Sequence, residues 1–400
     1  MAILGTVTSQ MEIAINKFAE IIDAGQRLDQ KTVHPIMTEI YGSASSGKWT
    51  GKLSTDLIES AMVKTLLRHP PLRELELSNL QNLVPHHQMR SEEQMQLQQF
   101  STPLELADLV SRAGQLTSSD ILLEPSAGTG LLPAVAINQS GYTPKLILNE
   151  FSKLRREMLA VTYPNAEISG VDAEWINDTL PGAKPTLVLM NPPFSVSIGR
   201  SKRNADACFK HVRSSLLKLQ AGGRLVAIVA NWLSPEKHPQ FFKDLPGVLR
   251  LSMFLPGKFY RFHGTSMDCR LLVFDKTPTD ELPLVKSLEK YESLYDLRKA
   301  IDDNVPPRLK INQQSPVMDS VFEELPLFQA SKLFAELPLF QIPIQSPNPA
   351  SDQRKSLPES HPIPLAKEKS ATNKITIIKP ETPPVQTGFG ELVRLKYTLI

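Results

Sequence analysis

Residues 121–194 leave this chain few folds to choose from. An apolar run at 120–124 ends in Glu124-Pro125-Ser126-Ala127-Gly128-Thr129-Gly130 and passes into an apolar segment, 131–137, of helical character. Strand, glycine turn and helix, in that order, open a parallel βαβ unit. Gly128 and Gly130 permit a sharp turn and remove the side chains that would hold a ligand off the main chain. Such a turn also serves simply to join a strand to a helix, so the strand tips beyond it decide between the two. The next apolar strand, 145–149, is followed by Glu150, at a strand tip where a carboxylate can accept both hydroxyls of a ribose. A third strand, 166–171, ends at Asp172, placed either to accept from an adenine amino group or to cap the helical turn that starts at Ala173. A fourth, 186–190, ends in Asn191-Pro192-Pro193-Phe194. The pattern predicts an α/β fold around a parallel, Rossmann-like sheet.

Three of these stretches are informative together. Glu124 to Gly130, Asn191 to Phe194, and the upstream Gln99-Phe100-Ser101-Thr102-Pro103 resemble motifs I, IV and X of the S-adenosylmethionine-dependent amino-methyltransferases of nucleic acids, in the order of the adenine-N6 group. The likeness runs from Phe100 to Asp275. Residues 42–67, with Gly47-Lys48-Trp49 leading into a helix, are further similar to the methyltransferase portion of bacterial strawberry-notch-like methyltransferase/helicase proteins. The resemblance implies a class I methyltransferase sheet, closed to seven strands by an antiparallel pair at 248–255 and 269–274. It implies S-adenosylmethionine as cofactor and site-specific methylation of adenine N6 in DNA. Glu124, Ser126, Gly128, Gly130, Glu150 and Asp172 would surround the cofactor, with Phe100 and Thr102 at its methionine end. Thr102 and Pro103 equally suit the start of a helix at 104–113. Helicase motifs are expected on a continuation of this chain or on a neighbouring protein.

The acceptor chemistry explains the residue types at 191–194. An adenine N6 amine is a poor nucleophile because its lone pair is delocalised into the ring, so a site must accept hydrogen bonds from the NH2 and favour the tetrahedral form. Asn191 offers its side-chain oxygen and Pro192 its carbonyl. Neither Pro192 nor Pro193 has an N–H, which leaves a stiff loop of acceptors. Phe194 would give a face for a base extruded from its stack, or else serve as a core aromatic at a strand end.

Around this centre, residues 1–95 read as helical, with Met11, Ile15, Phe18, Ala19 and Ile22 on one stripe and Leu57, Ile58, Ala61, Leu66 and Leu67 on another. Between them Gly42-Ser43-Ala44-Ser45-Ser46-Gly47-Lys48 imitates a phosphate-binding loop. Trp49 stands where a hydroxyl residue would hold magnesium, so a connection between helices is the expectation. Arg200, Lys202 and Arg203, in a loop at 195–204, are candidates for backbone phosphates or for a solvated basic loop. Residues 258–263, Lys-Phe-Tyr-Arg-Phe-His, could stack on nucleic acid or anchor a loop through Phe259 and Phe262. The methyltransferase domain is expected over 96–276.

Net charge of +2 neither requires nor excludes nucleic acid. Cys208 and Cys269 are single and far apart and the histidines form no ligand-spaced cluster, so neither a disulfide framework nor a metal site is expected. No stretch suits a membrane span, and a reducing cytoplasm is the natural location. Residues 277–400 hold 16 of the 33 prolines against two glycines, Gly388 and Gly390. Apart from a helix expected at 285–301, they read as an extended, largely disordered tail. That tail repeats Glu-Leu-Pro-Leu-Phe-Gln at an offset of 12 residues, ending at Phe328 and Phe340 and their glutamines. The two clusters look like docking peptides for a helicase or a sliding clamp, although Glu324 and Glu336 replace the glutamine of clamp-binding peptides. Other readings keep the fold: a modification subunit of a multi-subunit restriction system, a methyltransferase acting on RNA or on protein glutamine, or a non-catalytic cofactor-binding module.

Overall fold

The computed structural model describes residues 2–85, 101–194, 196–198, 202–204, 206–263, 267–277, 286–288, 291 and 293–311. The chain opens with α1 (Ala2–Asp23), α2 (Gln30–Tyr41), α3 (Gly51–Arg68) and α4 (Glu74–Leu83), and α5 (Leu104–Gly114) leads into the sheet. Then β1 (Ile121–Glu124), α6 (Leu131–Ser140), β2 (Lys145–Asn149), α7 (Lys153–Thr162) and β3 (Glu167–Ser169) alternate, followed by α8 (Ile176–Thr179) and β4 (Leu187–Met190). A hairpin of β5 (Val196–Ile198) and β6 (Lys202–Asn204) precedes α9 (Asp206–Lys218), β7 (Arg224–Ala230), α10 (Pro239–Lys243) and β8 (Val248–Leu255). The last described elements are β9 (Cys269–Asp275), β10 (Lys286–Leu288) and α11 (Leu294–Asn304).

The main sheet runs β10-β8-β9-β7-β4-β1-β2-β3. Strands β3, β2, β1, β4 and β7 are parallel, and β9 lies antiparallel between β7 and β8. This is a Rossmann-like α/β sheet whose strand order reverses between β1 and β4, the switch point that opens a crevice beyond the strands' carboxyl ends. Every residue of β7 is buried. Its Val226, Ile228 and Ala230 join one core layer while Leu225, Ala227 and Val229 join the other, which is why it reads as an unbroken apolar run.

The helical start belongs to the same body. The stripe Met11, Ile15, Phe18, Ala19 and Ile22 is buried, α1 packs on α3, and α3 packs on α6 and α7. All described residues fall within one compact unit. Residues on both sides of positions 95 and 276 therefore share one core. The loop between α2 and α3 is a connection, as expected: a single turn, Ala44–Ser46, closed by the Trp49 indole donating to the Gly42 carbonyl at 2.9 Å. Cys208 and Cys269 are buried free thiols.

Three expectations need correction. The sheet has eight strands instead of seven, because β10 pairs with β8 at its edge. The helix expected at 285–301 starts only at Leu294, where Ser293 caps it and Leu297, Ala300 and Ile301 turn into the core. Residues 195–204 contain the β5–β6 hairpin in place of a loop, closed by backbone pairing of Val196 with Asn204 and Ile198 with Lys202. Beyond α11, residues 305–311 cross the amino ends of β1 and β4. There Arg308 pairs with Asp120 and donates to the Thr186 carbonyl at 2.9 Å. Phe328, Phe340 and the repeat around them lie outside the described residues. Among the described residues no helix is long and apolar enough to cross a membrane.

Candidate functional site

A cleft of about 280 Å³ lies at the carboxyl ends of β1, β2 and β4, at the switch point. Its floor is the glycine turn. Gly128 and Gly130 have φ of 56° and 87°, in the left-handed region that glycine adopts without strain. Gly130 has a second reason to be glycine, since a Cβ there would stand 2.5 Å from Cε2 of Tyr163. The Tyr163 hydroxyl donates to the Gly130 carbonyl at 2.5 Å and pins the turn to the end of α7.

Glu150 faces the turn directly. One carboxylate oxygen accepts from the Gly128 N–H and the other from the Ser152 N–H, both at 2.8 Å. Each oxygen keeps a lone pair for a further donor. Asp172 caps the next turn, accepting from the Glu174 N–H at 2.9 Å, and it also lines the cleft. Glu124 is 3% exposed, and its Oε2 has no hydrogen-bond partner. Burial, with the charge of Glu150 beside it, pushes the Glu124 carboxyl well above the usual carboxylate range. A cation placed in the cleft would favour its ionised form. Ser126 lines the cleft with its hydroxyl 3.5 Å from Nδ1 of His211.

At the far side Asn191 continues from β4. Its Nδ2 donates to the Thr102 hydroxyl at 2.9 Å and, at 3.3 Å, to the Tyr260 hydroxyl. Thr102 and Asn191, separated by 89 positions, thus meet in one cleft. Pro193 lines it and Pro192 is buried. Phe194 is 5% exposed and packed in the core, so of its two expected roles this arrangement fits the core aromatic. In the segment 258–263, a 3₁₀ turn, Tyr260 is 1% exposed and Phe259 half-buried, while the side chain of Phe262 lies outside the described residues. Phe100 and Arg200 lie outside the described residues, and Lys202 and Arg203 are described only as backbone of β6.

Several residues of the site carry no sequence signal. Asn149 is 1% exposed, and its amide donates to the carbonyls of Pro125 and Val171 while its oxygen accepts from Ser169 and the Val171 N–H. It ties together the tips of β1, β2 and β3. Arg155 of α7 reaches the cleft paired with Asp56 of α3, and Thr129 donates to Glu59, also of α3, at 3.3 Å. His211 of α9 lines the cleft, and burial pushes its imidazole down to about 4, which keeps it neutral at pH 7. Each of these was unreadable because its partner is distant in sequence. An Arg five positions after Glu150 and an Asn one before it are ordinary residues in a strand-helix unit. Phe151 and Trp175, beside Glu150 and Glu174, are large aromatics 70% and 55% exposed.

No protein-family model and no curated protein matches this chain. Among solved structures, a Listeria monocytogenes protein provisionally assigned as a class I S-adenosylmethionine-dependent methyltransferase is 13% identical, with a TM-score of 0.43 over 75% of this chain and 99% of its own. The type I restriction-modification methyltransferase subunit from Streptococcus thermophilus is 16% identical, with a TM-score of 0.43 over 72% of this chain and 73% of its own. The type IIG restriction endonuclease BpuSI is 15% identical, with a TM-score of 0.44, and this chain spans 41% of its length while matching over 76% of its own. Structural neighbours of this Rossmann-like sheet thus include methyltransferases.

Proposed function

We propose that this chain transfers a methyl group from S-adenosylmethionine to the N6 amine of adenine in DNA. The observation that carries the proposal is the shared cleft, in which Asn191 at the tip of β4 meets Thr102 alongside the glycine turn and Glu150. The residues fit the cofactor on three counts. Gly128 and Gly130 leave the main chain bare, Glu150 stands at a strand tip with lone pairs for ribose hydroxyls, and Glu124 keeps a buried oxygen suited to a cationic group. Asp172, at the next tip, can accept from the adenine amine. When bound, S-adenosylmethionine supplies an electrophilic methyl group on a cationic sulfur.

On the acceptor side the amide nitrogen of Asn191 is committed to Thr102 and Tyr260, which leaves Oδ1 as its acceptor for an amine. The Pro192 carbonyl is the second acceptor, on a loop whose two prolines have no N–H to compete. Two acceptors on one NH2 draw the nitrogen toward tetrahedral geometry and return its lone pair for attack. Attack by the nitrogen would break the methyl–sulfur bond, leaving a neutral thioether, and the methylated nitrogen would shed one proton to solvent. Entry of a base into the cleft requires it to leave its stack, and Phe194 would have to turn out of the core to lie against it. Arg200, Lys202 and Arg203 follow the acceptor loop and would meet backbone phosphates.

The test is transfer of label from S-adenosylmethionine to unmethylated DNA, with the product digested to nucleosides. The expected product is labelled N6-methyladenine. Label in RNA or in protein glutamine, with DNA unlabelled, would overturn the acceptor.

A further inference from the structure

Arg155 is an unusual cleft residue. Its side chain is 6% exposed, yet it lines the cleft. Nε and Nη2 donate to the two carboxylate oxygens of Asp56, at 3.3 and 2.8 Å, and Asp56 is itself 1% exposed. This fork-to-fork pairing fixes the guanidinium plane from the side of α3. The remaining terminal nitrogen, Nη1, has no hydrogen-bond partner among the described residues. It stands 3.8 Å from the position a Cβ of Gly128 would occupy, at the glycine turn.

The same cleft therefore presents two buried groups of opposite kind with unused capacity. One is the Nη1 edge of Arg155, a donor with two N–H groups. The other is Oε2 of Glu124, an acceptor without a partner. A ligand end that answers both is an α-amino acid, whose carboxylate accepts and whose ammonium donates. We propose that Arg155, oriented by Asp56, binds the carboxylate at the amino-acid end of the ligand. Helix α3 of the N-terminal region is then part of the cofactor site. This deepens the assignment of the cleft to S-adenosylmethionine and rests on it.

Arg155 has a competing structural use, because Asp56, Glu59 and Glu150 all surround it and raise its affinity for its proton against the cost of burial. The experiment separates the two uses by changing the ligand. Full-length wild type, Arg155→Met and Arg155→Lys are titrated calorimetrically with S-adenosylhomocysteine and with 5′-methylthioadenosine, which shares the nucleoside and lacks the amino acid. A double variant, Asp56→Asn with Arg155→Gln, removes both charges together and covers the case in which an unpaired Asp56 prevents folding. The expected result is a loss of about 10- to 100-fold for S-adenosylhomocysteine in Arg155→Met and in the double variant, as for losing a charged hydrogen bond. Affinity for 5′-methylthioadenosine should stay within about twofold, with Arg155→Lys intermediate for the first ligand. Equal losses for both ligands, or no loss for either, would overturn the proposal and leave Arg155 as a charge-balancing residue. If the wild type bound neither ligand, the assignment of the cleft would itself fail, a result distinct from the first two.

Discussion

Gly128 and Gly130 are two positions apart, and a methyl group on each would do different harm. At Gly130 an added Cβ meets the buried Tyr163 ring at 2.5 Å, on a backbone with φ of 87°. Gly130→Ala should cost about 2–4 kcal/mol of stability, from left-handed strain and overpacking together. At Gly128 the nearest atom to a new Cβ is Nη1 of Arg155, at an ordinary 3.8 Å. Gly128→Ala should cost only the strain, about 1–2 kcal/mol, and weaken cofactor binding. Urea denaturation with S-adenosylhomocysteine titration of both variants checks this, and a more stable Gly130→Ala than Gly128→Ala would contradict it. Both glycines were legible because a turn's need for a left-handed backbone is written locally. Asp56 and Arg155 were not, since the pair spans 99 positions and neither residue departs from what a helix tolerates. Phe194 illustrates a third case, in which the sequence left two roles open and the packing fits the plainer one.

Among the elements, the segment after α11 is held by the Pro306 carbonyl, which accepts from Arg224 and Gln115, and by the buried side chain of Arg308. Arg308 pairs with Asp120 below β1 and reaches the backbone of β4, with side chains 9% and 2% exposed. Burial pushes the Asp120 carboxyl up, but the hydrogen bond and charge of Arg308, with Thr186 and the Thr117 N–H, outweigh it and hold the carboxyl below its ordinary value. A carboxyl lowered by folding stabilises the folded state fully above its unfolded value, about pH 4, and that contribution is lost as pH falls through the lowered folded value. Arg308→Ala leaves a buried carboxylate without its cation, so a loss of about 3–5 kcal/mol at pH 7 is expected. The acid-unfolding midpoint should move to higher pH. Circular dichroism melts across pH 3–8 would measure both, and an unchanged midpoint would show that Arg308 only decorates the surface. Strands β1, β2, β4 and β7 were readable from their apolar runs. Strand β10 was not, because three residues in a proline-rich segment carry no periodicity, and its place is set by the open edge of β8.

At the scale of the molecule, the glycine turn, the strand tips and the loop at 191–194 converge because the sheet reverses its order between β1 and β4. The N-terminal helices close this arrangement from one side. Their apolar stripes were legible as core, but the acidic face of α3 that touches the turn was not, since Asp56 and Glu59 read as ordinary charged helix positions. In the proposed function one cleft holds both a methyl donor and an amine acceptor, with Asn191 serving only the acceptor. Pairing cofactor binding with turnover in Asn191→Ala on the full chain tests that division of labour. Cofactor affinity within about threefold of wild type, with methyl transfer to DNA reduced roughly 100-fold or more, is the expected result. Full turnover by Asn191→Ala would contradict it, because the amine would then be held elsewhere.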